Sequence, residues 1–176
     1  MTLISAPAGF GKTACLAEWL AGVPYPIAWI SLDENDQDPG RFFSTLAATL
    51  QATDIASEPE YFTNIDQIAR ILRSGQVPPA NAIASALIAD ILASPSRMLL
   101  VLDDFHHIQE RFILEVFEIL LSNLFQTSTP QPLHLVLSSR EAPPIPLARL
   151  RANNRLTDIR AEDLRFSPTE AAQLLN

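Results

Sequence analysis

Lysine is almost absent from this chain. Of twelve basic residues among 176, eleven are arginine and one, Lys12, is lysine. Cysteine also occurs once, at Cys15. A single thiol excludes an internal disulfide, and the three histidines do not combine with it at the spacing of a zinc site. Positive charge is scarce overall. Twenty acids leave a formal net charge of −8, which argues against a face that grips a nucleic-acid backbone. No apolar run approaches the roughly 20 residues of a membrane span, and no signal peptide opens the chain, so a membrane partner is not expected. Internal repeats and low-complexity tracts are missing too. What is present is a hydrophobic content of 48%, ample for one core in a chain of one-domain length.

The lone lysine stands in Ala6-Pro7-Ala8-Gly9-Phe10-Gly11-Lys12-Thr13. A short β-prone run, Met1-Thr2-Leu3-Ile4-Ser5, precedes it, and Ala14-Cys15-Leu16-Ala17-Glu18-Trp19-Leu20 reads as a helix after it. Strand, glycine-bearing loop, Gly-Lys-Thr and helix is the order required of a phosphate-binding loop. Without side chains at Gly9 and Gly11, the backbone can curl its N–H groups around phosphate oxygens, and the helix dipole adds partial positive charge. Lys12 would supply a full charge to the β- and γ-phosphates, and the Thr13 hydroxyl would ligate Mg²⁺. The usual pattern begins with glycine, and here Ala6 takes that place. A tight strand–helix turn with an exposed lysine is the competing reading.

A second segment narrows the choice. Met98-Leu99-Leu100-Val101-Leu102-Asp103-Asp104 is an unbroken apolar run ending in two carboxylates. Buried parallel strands have this composition, and open α/β sheets bind ligands at the carboxyl ends of such strands. Asp103 would bind Mg²⁺, directly or through water, and Asp104 is placed to polarise an attacking water. Taken alone, Asp-Asp after a strand is more often a solvated turn. Together with the glycine loop it predicts a nucleotide site.

The remaining elements follow from periodicity. Residues 27–32 form a strand candidate that ends in the polar turn 33–36, and Asp38-Pro39 supplies a helix N-cap with proline at the first position. Phe42, Phe43, Leu46, Ala47 and Leu50 share one face of that helix. Residues 54–64 read as loop. Ile65, Ile68, Ala69 and Leu72 predict a short helix broken by Gly75. Pro78 and Pro79 open another, carried by Ile83, Leu87, Ile88, Ile91 and Leu92. The cleanest stripe is Ile113, Val116, Phe117, Leu120, Leu121 and Leu124, spaced i, i+3, i+4, i+7, i+8, i+11. A polar loop (126–132) leads to a fourth strand at 133–138, followed by Ser139 and Arg140. A short helix (147–151), a fifth strand (156–159) and the capping box Ser167-Pro168-Thr169-Glu170 complete the pass. Strands alternating with helices predict an α/β fold, a mostly parallel five-stranded sheet with helices on both faces. The expected domain limits are 1–166, with 167–176 the truncated start of a following helical segment. Strand one begins almost at Met1 and the last helix breaks off at Leu174-Leu175-Asn176, so the chain reads as a domain cut from a longer protein.

Several stretches resemble one family. Leu3 through Thr13, Trp29-Ile30-Ser31-Leu32-Asp33-Glu34, Val101-Leu102-Asp103-Asp104-Phe105-His106, Leu137-Ser138-Ser139-Arg140 and Asp163-Leu164-Arg165-Phe166-Ser167 are similar to the nucleotide-binding domain of MalT-like regulators. These are large LuxR-type bacterial transcription activators in the STAND class of P-loop ATPases. The resemblance implies a P-loop NTPase three-layer sandwich in which the Ser138–Arg140 strand lies between the loop strand and the Asp103 strand. It implies ATP/ADP and Mg²⁺ as cofactors, with Pro7, Ala8, Gly9, Phe10, Gly11, Lys12, Thr13 and Ala14 around the nucleotide. Thr13 and Asp103 would hold the metal. Asp104 and Arg140 would be catalytic, Arg140 by sensing the γ-phosphate. Ala14 stands where a second hydroxyl residue is common in the family, so Thr13 has no hydroxyl neighbour. In such proteins ATP and an inducer release an autoinhibited form, the chain self-associates, and a C-terminal helix-turn-helix, absent here, binds DNA. Hydrolysis resets the switch.

The expected function is thus an ATP-binding switch domain with slow hydrolysis, in a reducing, cytoplasmic setting. Two rivals stand beside it: a P-loop kinase or fast ATPase, and an interaction module that keeps ADP permanently. A kinase needs a basic lid, yet residues 104–132 hold only Arg111. Among other residues, Arg140 without the resemblance is as readily an ion-pair partner of Glu141. His106 is expected to orient the loop after Asp104 by hydrogen bonding. Trp19 and Trp29 are expected in the core, Cys15 in packing, and Arg149, Arg151 and Arg155 at a solvated helix end.

Overall fold

The chain folds, in a computed structural model, around one parallel sheet. The structure describes residues 1–53, 61–124 and 132–165. The elements run β1 (Thr2–Ser5), α1 (Lys12–Leu20), β2 (Ile27–Ser31), α2 (Pro39–Gln51), α3 (Thr63–Arg73), α4 (Ala80–Ala93), β3 (Met98–Asp103), α5 (Arg111–Leu124), β4 (Leu133–Ser139), α6 (Ala148–Ala152) and β5 (Thr157–Arg160). Single 3₁₀ turns lie at Glu34–Gln37 and Phe105–His107. The capping box at 167–170 and the polar loop from 126 to 131 fall outside the described residues.

The sheet order is β2-β3-β4-β1-β5 and every pair is parallel. Strand β4 therefore lies between β1 and β3, as the resemblance implies. Its register sets Ser138 beside Ile4, while Ser31 on the far edge aligns with Asp103. All six residues of β3 are buried, which explains a strand without alternation: both of its faces are covered.

The two faces are covered unequally. One packs against α2 through α6 in a large cluster that includes Phe42, Phe43, Ile65, Ile83, Phe117 and Leu150. The whole predicted stripe of α5 is buried there. On the opposite face Ile4, Leu99, Val101 and Val136 meet only Leu16 and Leu20 of α1 among buried helical residues. That asymmetry corrects two expectations. Trp19 is 42% exposed, and Trp29 is half-buried with its Nε1–H donating to Ser31 Oγ at 3.1 Å. Among the described residues one helix, α1, packs on this face, and it leaves the aromatic rings at the edge of the layer uncovered.

One helix boundary and one expected core position also differ from the expectation. Helix α3 starts at Thr63, inside the stretch read as loop, because its first amides are capped from another helix. Asp90 of α4, itself buried, accepts from Ile65 N at 2.9 Å and from Asn64 Nδ2 at 2.6 Å. In α4, Leu92 is 59% exposed and does not join the buried face. By contrast, Asp38 caps α2 as expected, accepting from Arg41 N at 2.7 Å with Pro39 at the first position.

His134 on β4 carries a pH prediction. Its Nε2 lies 3.0 Å from Thr2 Oγ1 and its ring meets the Trp19 edge. Burial first, then the charges of the Met1 amino group and Arg97, lower its pKa to about 4. Between that value and the ordinary 6.5 the unfolded chain binds the proton and the folded chain does not, so stability rises with pH across the window. Acidification from pH 7 to 4.5 should cost about 1 kcal/mol through this residue, allowing for solvent at a half-buried ring. Urea midpoints at the two pH values check it. His134→Gln should flatten the difference, and an unchanged pH dependence in that variant would exclude His134 as its source.

Candidate functional site

At the carboxyl end of β1 the chain turns through Ala6 to Gly11 into α1. The turn needs the left-handed backbone at Gly9 (φ 82°) and Gly11 (φ 74°). A Cβ at either position would meet nothing within 4 Å, so glycine serves here for conformation and not for space. Ala6 is buried, and its N–H donates to Ser139 O at 3.2 Å, which ties the loop to the end of β4. Among the described residues, no acceptor is found for the backbone N–H groups of residues 8–14. Four of these donors lie in the loop and three in the first turn of α1, where a helix leaves its N–H groups without intrahelical acceptors. Lys12 is buried, and its Nζ donates to Ala6 O at 2.9 Å and Pro7 O at 3.2 Å. Its ammonium is folded back over the loop that carries it.

The next residue connects this loop to the acidic strand. Thr13 Oγ1 donates to Asp103 Oδ2 at 2.8 Å across 90 positions of sequence. The other oxygen of Asp103 accepts from the Ser138 hydroxyl. Ser138 Oγ in turn accepts from Asp104 N at 3.0 Å. Asp103 and Ser138 are both fully buried, where an unpaired carboxylate would be costly, and this network satisfies them. Asp104 takes the left-handed conformation (φ 57°, ψ 41°), uncommon for a residue with a side chain and frequent at functional sites. Its carboxylate is left 36% exposed.

The predicted site residues therefore meet: loop, Lys12, Thr13, Asp103 and Asp104 share one end of the sheet. Arg140 follows β4, exposed, and forms no ion pair with Glu141 or any other described acid. Ser138 was not singled out as a site residue. Its signal was a hydroxyl ending an otherwise apolar strand next to the acidic one.

His106 departs from expectation. It does not orient the loop by hydrogen bonding, because both ring nitrogens are buried without a partner among the described residues. Such orphaned atoms cost on the order of 1–3 kcal/mol each. The nearest acid, Asp104, places Oδ1 at 3.7 Å from Nδ1, beyond hydrogen-bond length. Burial, then the positive influence of His107, Arg140 and Lys12, lower the His106 pKa, with Asp104 opposing them. The ring is neutral at pH 7 and keeps one donor and one acceptor nitrogen.

Beside the loop lies a groove of about 680 Å³ lined by Gly9, Phe10, Gly11, Ala14, Cys15, Glu18 and residues 163–165. Cys15 is half-buried on its wall as a free thiol. A second cleft of about 710 Å³ between the start of α2 and the end of α3 is slightly larger. It lies away from the loop, and its one acid, Asp38, is already engaged in capping α2. The groove beside the loop is the one continuous with the donors. At the far end of the chain, Arg151 pairs with Asp158 at 3.1 Å, in keeping with a solvated helix end.

Along its whole length the chain is 32% identical, over 180 residues, to the HTH-type transcriptional regulator MalT of Serratia proteamaculans (strain 568). It is 32% identical over 178 residues to that of Cronobacter sakazakii (strain ATCC BAA-894) and 31% over 176 residues to that of Vibrio cholerae serotype O1. Each alignment takes in all of this chain and 18% of the relative's length. No family model matches the chain.

Proposed function

We propose that this chain, which belongs with the MalT-type HTH transcriptional regulators as the counterpart of one segment of them, is an ATP-binding switch domain that hydrolyses its nucleotide slowly. The observation that carries the reading is the Thr13–Asp103 hydrogen bond at the end of a loop and first helical turn whose amides, at residues 8–14, have no acceptor among the described residues. A hydroxyl and a carboxylate already in contact are hard oxygen ligands of the kind Mg²⁺ prefers. The donors above them suit phosphate oxygens.

Thr13 and Asp103 would hold Mg²⁺, whose charge would offset that of the phosphates. Pro7 through Ala14 would wrap the phosphate chain, with Lys12 leaving its carbonyl partners for the β- and γ-oxygens. Ribose and base would extend into the groove between Gly9 and residues 163–165. Asp104 would accept a hydrogen bond, and then the proton, from the attacking water. The water oxygen would bond to the terminal phosphorus as the bridging P–O bond broke, its electron pair leaving with ADP. Arg140 would meet charge on the transferred group. Ser138 holds Asp103 and the Asp104 backbone in register for this.

No helix among the described residues is long and apolar enough to cross a membrane; the cytoplasmic setting is part of the proposal. In this proposal self-association on activation belongs to the full-length protein, and DNA contact to a C-terminal domain outside this segment. Isothermal titration with Mg-ATP, followed by a phosphate-release assay, tests the reading. Binding with turnover far below the roughly 1–100 s⁻¹ of kinases is expected. Rapid turnover would indicate a dedicated enzyme, and tightly retained ADP without turnover an interaction module.

A further inference from the structure

Among the described residues, His106 is the side chain whose buried polar atoms find no hydrogen-bond partner, and neither the fold nor the proposed chemistry uses them. Phe105, fully buried and edge-on to Phe117 at 5.4 Å, pins the preceding residue into the core. The 3₁₀ turn that follows is closed by His107 N donating to Asp104 O at 3.1 Å and Ile108 N to Phe105 O at 3.0 Å. These bonds fix the backbone and leave the His106 ring on the side of Asp104. The His107 ring, 4.3 Å away and tilted by 37°, bounds it on one flank. The Nδ1 of His106 stands 3.7 Å from Asp104 Oδ1, so a side-chain movement of about 1 Å would bring the pair to hydrogen-bond length.

We propose that His106 is a positioning residue, whose Nδ1–H closes onto the Asp104 carboxylate in the ATP-loaded site and fixes the direction in which that carboxylate receives water. This rests on the ATPase reading above. Asp104 is more than one-third exposed, and among the described residues its carboxylate accepts no hydrogen bond, His106 Nδ1 at 3.7 Å being its neighbouring donor. A base that is free to rotate is a poor one, and a neutral imidazole held by a buried neighbour is a suitable third group to orient it. His106 neither gains nor loses a proton in this role. The deep pinning of Phe105, coupled to a ring that stays unbonded until the site fills, also gives the turn at residues 105–107 a means of responding to nucleotide.

The test compares the chain with His106→Leu and His106→Asn, measuring Mg-ATP affinity, kcat and the imidazole ¹⁵N resonances. The Leu variant should lose about ten- to a hundredfold in kcat while affinity stays within about twofold. The Asn variant, whose amide nitrogen stands near the Nδ1 position, should recover most of the rate. With Mg²⁺ and a non-hydrolysable ATP analogue, the Nδ1 proton should shift to a hydrogen-bonded position, and Asp104→Asn should change that shift. A Leu variant at the parent rate, an Asn variant no better than Leu, or parallel losses of affinity and kcat would each overturn the role. So would an Nδ1 resonance indifferent to the analogue, which decides the matter even where turnover is too slow to measure. If the unaltered chain fails to bind Mg-ATP at all, the nucleotide reading itself falls, and this role with it.

Discussion

Lys12→Ala should weaken Mg-ATP binding by about thirtyfold or more, to the point where binding is no longer measurable. The ammonium is the only lysine charge in the chain, and it is buried at the loop. No arginine lies within the loop sequence to replace it. Removing one partner from a desolvated charge pair costs about 2–5 kcal/mol of binding, which spans roughly thirty- to several-thousandfold. The fold should tolerate the change. In the free chain Nζ donates only to the carbonyls of Ala6 and Pro7, which face a turn already rich in unengaged groups, so a loss of about 1 kcal/mol in stability is expected. Isothermal titration reads the affinity. Thermal unfolding with and without Mg-ATP separates lost binding from lost structure, since a ligand raises the midpoint only if it binds the native state. Lys12→Arg should fare little better, because a planar fork does not replace a compact charge in a closed loop. Unchanged ATP affinity in the alanine variant would remove this turn as a phosphate site.

Much of this arrangement was legible in the sequence because local rules and tertiary packing agreed. The α5 stripe is buried in full, and Asp38-Pro39 caps α2 as its chemistry dictates. The order of the strands was not legible that way. Periodicity says which residues face a core, but nothing in it says which strand lies beside which, and the central place of β4 came from the family resemblance alone. Where reading failed, the cause was remote or non-periodic. The start of α3 is capped by Asp90, about 25 positions away, so no neighbouring residue announced it. Helix α4 is apolar almost all round, Ala80–Ala93, and a helix of that kind does not reveal which leucine is left outside, here Leu92. The tryptophans were placed inside on composition, without knowing that one face of the sheet is covered chiefly by α1.

The site divides along the same line. Glycines, lysine and threonine are contiguous, and their geometry follows from the loop itself. The meeting of Thr13 with Asp103 depends on β1 and β3 being separated only by β4, a fact of topology. Ser138, set between them by that order, was missed for this reason. His106 was assigned a bonding role because histidines near acids usually have one. With Phe105 held in the core, the His106 ring nitrogens instead find no hydrogen-bond partner among the described residues.

The same constraint makes Asp104→Asn a clean experiment. Asp104 sits at φ 57°, a conformation that most side chains resist and asparagine adopts readily. The substitution keeps size, shape and backbone preference while removing the charge that takes a proton. Folding stability should therefore change by no more than about 0.5 kcal/mol, and Mg-ATP affinity should persist, since Lys12, Thr13 and Asp103 are untouched. Hydrolysis should fall by about 10²- to 10⁴-fold, the usual contribution of a positioned general base. An ATP-bound but non-hydrolysing chain would then isolate the loaded state of the switch. Phosphate release under single-turnover conditions is the measurement, with the urea midpoint as a control on folding. Should the variant release phosphate at the parent rate while folding and binding normally, Asp104 would not be the base. The carboxylate chemistry would then fall to Asp103, whose buried oxygens are already committed to Thr13 and Ser138 and leave little room for water.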